Sequence, residues 1–75
     1  MKEQRLDLRG LNCPLPVLKA RKAMRSLSPG DVLVLECTDP VSAIDVPHFV
    51  AEDGHEMVGQ EKAGAVWRFR IARGG

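Results

Sequence analysis

The sequence predicts an α+β fold. It is a two-layer α/β sandwich of order β-α-β-α-β-β, a mixed four-stranded sheet with two helices on one face. Three observations predict it. The apolar period switches from two to a helical spacing at a Cys-Pro-Leu-Pro step, Cys13–Pro16. A run of aliphatic residues, Asp31–Cys37, follows a Ser28-Pro29-Gly30 turn. The last third alternates over His55–Glu61 and Ala65–Ala72, as two strands joined by Lys62-Ala63-Gly64. If the first two strands pair in parallel, right-handed crossovers put both helices on the same side. Seventy-five residues are enough for one such domain, 1–75, and for no second core.

In the first strand, Gln4–Arg9, Leu6 and Leu8 fall on one side and Arg5, Asp7 and Arg9 on the other, so one face is wet. Gly10 gives the chain freedom to turn sharply out of it. Pro14 and Pro16 mark a helix start, since proline's missing N–H is no loss there and its φ is already helical. Val17, Ala20, Met24 and Leu27 then recur at helical spacing, and the helix ends near Ser26. The Asp31–Cys37 strand reads as the most buried, with Leu33, Leu35 and Cys37 sharing a face. Thr38-Asp39-Pro40 breaks it. Ser42 and Asp45 have the spacing of a capping box for a second helix running to about Asp53. Pro47 deletes a bond inside that helix, so either its first turn is irregular or it is kinked. Gly54 suits the stop. In the last strand Trp67, Phe69 and Ile71 point inward, as core and not as a base-stacking platform. Met1–Glu3 and Arg73–Gly75 read as loose ends.

Composition limits the function. The chain is 44% hydrophobic and 28% charged, ordinary for a soluble domain. No apolar run reaches the roughly 18 residues of a membrane span, and the polar start shows no signal peptide. The expected address is the cytoplasm. Two cysteines there make no disulfide framework, and their spacing with His48 and His55 fits no zinc pattern, so no metal is expected. The net charge of +1 is unevenly spread: residues 1–30 carry seven bases against two acids, and residues 31–75 four against eight. The basic half includes Cys13. It reads either as a solvated helix face or as a docking surface for an acidic partner or RNA.

Cys13 is the candidate reactive group. It sits at a helix start, where free N–H groups and the positive end of the helix dipole favour an anion, so its thiol pKa is expected below the usual value of about 8.5. A hydrolase would need a histidine base, and nothing in the sequence aims His48 or His55 at Cys13. There is no Cys-x-x-Cys pair for dithiol exchange. What remains needs one thiolate: accepting sulfane sulfur as a persulfide and passing it to another thiol, with no cofactor. Cys37 could approach Cys13 as a resolving cysteine, although its face-mates Leu33 and Leu35 argue for burial. Asp39 lies at the strand edge where open α/β sheets bind ligands, and could shape the mouth of the site. The Arg73-Gly74-Gly75 tail has the glycines of a thiocarboxylate carrier, but those folds open with a β-hairpin, so a frayed tail is expected.

Four blocks carry a resemblance: LDLRGLNCPLPVLKARKAM (Leu6–Met24), TDP (Thr38–Pro40), DVPHF followed by GHE (Asp45–Phe49, Gly54–Glu56), and WRFRI near the end. Over nearly its full length the chain resembles the TusA/SirA-like sulfur carriers with their CPxP motif. The resemblance implies a two-layer fold and a persulfide on Cys13. It also implies a cysteine desulfurase or rhodanese as sulfur donor and a downstream sulfurtransferase as acceptor. Gly10, Pro14, Pro16 and Asp39 would shape the site; Arg9, Lys19, Arg21, Lys22 and Arg25 would meet partners. Relatives in tRNA 2-thiouridine synthesis often have glutamate between the two prolines, where this chain has Leu15. That leaves tRNA thiolation, molybdenum cofactor assembly, sulfur oxidation and selenium handling all open. A monomer without direct nucleic-acid binding is expected. The competing expectation is a non-catalytic regulatory or RNA-binding module that uses the same basic face.

Overall fold

A computed structural model of the chain describes residues 2–75. The elements follow the expected order: β1 (Glu3–Leu8), α1 (Leu15–Met24), β2 (Val32–Cys37), α2 (Ser42–Glu52), β3 (Glu56–Ala63) and β4 (Val66–Ala72). The sheet order is β1-β2-β4-β3. β1 runs parallel to β2, and β4 is antiparallel to both β2 and β3, so the sheet is mixed as predicted.

Period-two patterning decides which side is covered. Leu33, Leu35 and Cys37 of β2 and Phe69 and Ile71 of β4 are wholly buried. They form one core with Ala20, Ala23, Met24 and Leu27 from the first helix region and Val46, Phe49 and Val50 from α2. Each fully buried aliphatic or aromatic side chain of this kind contributes about 1.5–3 kcal/mol relative to exposure. Among the described residues the opposite face carries no helix, and it is laced with charge. Arg68 bonds Glu36 at 3.1 Å and Glu61 at 3.3 Å, and Arg70 bonds Glu3 at 3.1 Å. Val34, between Arg5 and Arg70 in register, is nonetheless only 1% exposed. Long arginine stems are the kind of side chain that covers such a residue.

Three local expectations change. α1 gives way after Met24 to a tighter turn, in which Ser26 and Leu27 donate back three residues to the Ala23 and Met24 carbonyls. In α2, Ser42 is the first helical residue and makes no side-chain cap, so the Ser42–Asp45 pair is not a capping box. The first turn is already regular, with the Asp45 N–H on the Val41 carbonyl at 2.9 Å, and Pro47 lies within the continuous helix. The ends are not loose. Glu3 is in β1; the Lys2 N–H donates to the Asp31 carboxylate at 3.0 Å; Met1 lies outside the described residues. At the other end Arg73 exchanges backbone bonds with Gly30 and Asp31, and its guanidinium donates to the Leu27 carbonyl. The Gly74 N–H donates to His55 Nδ1 at 2.9 Å. A Cβ on Gly74 would sit 1.9 Å from the Gly54 carbonyl oxygen, so this glycine is required by close approach and not by a tail chemistry.

Candidate functional site

Parallel pairing of β1 and β2 brings their C-terminal ends, Leu8 and Cys37, side by side, and with them the two loops that follow. Gly10, at φ +84°, turns the first loop. Two bonds then fasten it to the Thr38-Asp39-Pro40 loop. The Gly10 N–H donates to Thr38 Oγ1 at 2.8 Å, and the Cys13 N–H donates to Asp39 Oδ2 at 2.7 Å. Asp39 also accepts the Val41 N–H at 3.1 Å, so one carboxylate holds the cysteine backbone and the entry to α2 together. Gly10, Cys13 and Asp39 thus form one unit. Pro14 is the N-cap of α1 and the buried Pro16 lies in its first turn.

The Cys13 side chain is exposed, as a transfer site requires, but its electrostatics are opposite to the expectation. Its Sγ donates to Asp45 Oδ2 at 2.9 Å, across to the first turn of α2. That carboxylate pushes the thiol up from its ordinary value, with desolvation and the Asp39 charge acting in the same sense. The helix start offers little to oppose this. Pro14 and Pro16 have no N–H, and that of Leu15 is taken by the Asn12 carbonyl at 2.9 Å. The two prolines thus remove two of the amides that could have stabilised a thiolate.

The other candidates fall into three groups. Cys37 has no exposure and packs in the core, so it is a structural thiol and not a resolving one. Neither histidine approaches Cys13: His48 pairs with Glu52 at 3.3 Å, and His55 lies edge-on to Phe49 and accepts from Gly74. Two of the five basic candidates are held internally. Arg9 clasps Asp7 at 2.8 Å and holds that carboxyl down to about 2. Arg21 ties α1 to α2 through Glu52 at 2.9 Å and Asp53 at 3.1 Å, with its guanidinium over the Phe49 ring. Lys19, Lys22 and Arg25 are exposed along α1. No cluster suited to holding a metal occurs among the described residues. No helix of the described residues is long and apolar enough to cross a membrane.

Sequence reasoning missed Asp45 and the apolar rim. Of the large exposed apolar side chains, Leu15 and Leu18 lie on the first turns of α1, and Val41 and Ile44 at the start of α2. These are the turns on either side of the Cys13–Asp45 contact. A signal was available. Val46, Phe49 and Val50 fill one stripe of α2, so Val41 and Ile44 at i and i+3 had to face elsewhere, and apolar residues on both faces of a helix point to a second contact surface.

The profile of the family described as sulfurtransferase TusA matches residues 4–73. The crystal structure of a SirA-like protein from Desulfitobacterium hafniense is similar to this fold, with a TM-score of 0.83 and 26% sequence identity over 96% of this chain and 99% of that one.

Proposed function

Since this chain belongs to the TusA sulfurtransferase family, we propose that it relays sulfane sulfur as a persulfide on Cys13, from a cysteine desulfurase or rhodanese to a downstream sulfurtransferase. The observation that carries the reading is an exposed thiol on a loop fastened by Thr38 and Asp39, with neither histidine beside it. A rigid, open thiol without its own base suits a group that receives and hands on a single atom.

The transfer balances without a cofactor. Cys13 Sγ attacks the outer sulfur of a donor persulfide, R–S–SH. The new S–S bond forms as the donor's S–S bond breaks, and the electron pair leaves on the donor's inner sulfur, which takes up the proton that Cys13 gives up. The products are Cys13 persulfide and R–SH, and the oxidation level of the moving sulfur is unchanged. Delivery to the acceptor repeats the step with Cys13 Sγ as the leaving atom. Asp39 fixes the cysteine backbone, Gly10 allows the turn, and Pro14 and Pro16 fix the start of α1. Lys19, Lys22 and Arg25 give α1 a basic flank for docking. Arg9 and Arg21 serve that flank less, since acids of the same chain already hold them. The same pairing weakens the alternative of an RNA-binding module.

The test is intact mass after incubation with a cysteine desulfurase and cysteine, or with a rhodanese and thiosulfate. A gain of one sulfur atom, reversed by dithiothreitol and absent in Cys13→Ser, is expected. Loading that survives in Cys13→Ser, or no loading of the native protein by either donor, would overturn the reading.

A further inference from the structure

The immediate surroundings of the Cys13 sulfur are acidic and apolar, although the N-terminal half of the chain is basic. The charged groups that bear on it are Asp45 of α2, which accepts its proton at 2.9 Å, and Asp39 of the β2–α2 loop, which accepts its backbone N–H. The nearest basic residue along the chain, Arg9 just after β1, is held by Asp7; on α1 Arg21 is turned to Glu52 and Asp53, while Lys19 and Lys22 are exposed and are not among the charges that bear on Cys13. The first turn of α1 and the start of α2, which Cys13 and Asp45 adjoin, carry Leu15, Leu18, Val41 and Ile44, exposed by 44%, 52%, 43% and 72%.

Asp45 is a poor candidate for a base. A carboxylate is a far weaker base than a thiolate, so a thiol beside a carboxylate keeps its proton. The contact instead favours the neutral thiol, because a thiolate would face two carboxylates. Yet sulfur transfer needs negative charge to develop on Sγ. No cation among the described residues is one of the charges that bear on Sγ, which points to a cation from outside, in a segment that also covers the apolar rim as the two sulfur atoms meet.

Building on the carrier reading, we propose that the protein exchanging sulfur with Cys13 presents a lysine or arginine within an apolar segment, and that this cation pairs with Asp45 and so frees the thiol to react. Asp45 is then a positioning residue. It keeps the idle carrier unreactive toward small electrophiles and confines reaction to a docked partner. Complementarity selects the occupant: apolar side chains against Leu15, Leu18, Val41 and Ile44, and a positive charge against Asp45.

Two readouts should move in opposite directions. The first is the rate of Cys13 alkylation by iodoacetamide across pH, followed by peptide mass so that Cys37 does not interfere. Asp45→Asn removes one repelling charge. Relief of that repulsion makes thiolate more abundant at a given pH, and the lower basicity of that thiolate gives back only part of the gain, so alkylation at pH 7 should rise a few-fold with a lower midpoint. The second is sulfur loading by a cysteine desulfurase with cysteine. There Asp45→Asn should raise KM for the carrier about tenfold, the effect of one lost charge-assisted bond. Asp45→Glu keeps the charge and should restore both values towards those of the native protein. A purely structural role for Asp45 would not quicken one reaction and slow the other.

Alkylation of Asp45→Asn that is unchanged or slower would overturn the restraining role. An unchanged KM would overturn the partner cation, and a Glu variant that behaves as Asn would show that charge is not the determinant. If no persulfide donor loads even the native protein, the carrier reading and the partner half of the proposal fall together. The alkylation profile then still decides what Asp45 does to Cys13.

Discussion

The two cysteines of this chain stand within one corner of the fold and differ in every respect that matters to a thiol. Cys37 ends β2 beside Leu8 with no exposure, and burial is the largest cause of its raised pKa. Cys13 is exposed on the loop that follows Leu8, and a neighbouring carboxylate is the largest cause of its raised pKa. The direction is the same and the physics is different. Desolvation at Cys37 can be relieved only by opening the core. The repulsion at Cys13 can be relieved by any cation that approaches Asp45. A buried thiol is released only by opening the fold; a thiol restrained by a neighbouring charge can be released by an opposite charge, with the fold intact.

The same substitution at both positions separates them most strongly. Cys37→Ser places a hydroxyl in the core; an unsatisfied buried polar group costs about 1 to 3 kcal/mol, and Ser42, its side-chain partner here, holds the cost to the low end. The thermal midpoint should then fall by about 4–8 °C, the usual response of a domain this size to 1 kcal/mol. Cys13→Ser, at an exposed site, should stay within about 0.5 kcal/mol of the native protein. Thermal unfolding of the two variants checks this, and equal midpoints would remove the distinction between structural and functional thiol.

Much of this corner was legible beforehand, because the signals for it are local. The strand periods, the proline pair after Cys13 and the Ser28-Pro29-Gly30 stop each depend on neighbours in sequence; the parallel pairing of β1 and β2 was only a condition of the sequence reading, and the structure meets it. The charge on Cys13 depends on Asp45, 32 residues away. That residue invited a local reading as half of a capping box, which its place in the first turn of α2 made reasonable. In the structure its carboxylate turns to the thiol instead. The internal pairing of Arg21 was hidden for the same reason. A lysine- and arginine-rich helix looks uniformly basic in sequence, and only the packing of α1 on α2 reveals which side chain already has acids to meet. The tail was missed because close approach of Gly74 to Gly54 is a tertiary fact with no local mark.

A smaller effect tests what keeps the Cys13 loop in place. Asp39 accepts two backbone N–H groups, from Cys13 and Val41, and Thr38 accepts one, from Gly10. Asp39→Ala should cost about 1 kcal/mol, as loss of a helix-capping side chain does, and should speed amide hydrogen exchange at Cys13 and Val41. Exchange elsewhere in β2, including Cys37, should change only as global stability does. Faster exchange throughout β2 beyond that would mean that the loop and the core open together, and the two thiols would then share one stability.

The smallest effect is at alkaline pH, and it distinguishes the two causes directly. Both thiols hold their protons more tightly in the folded chain than in the unfolded one, where cysteine ionises near about 8.5. The stability this adds is complete below that pH and is lost as pH rises through it toward the folded values, because the unfolded chain then gives up protons that the folded chain retains. The midpoint of urea unfolding should therefore decline as pH rises above about 8 at constant slope. In Asp45→Asn the Cys13 share of that decline should shrink while the Cys37 share persists, since burial is untouched. An identical decline in both proteins would assign the whole effect to Cys37, and Asp45 would then be a neighbour of the reactive thiol without control over it.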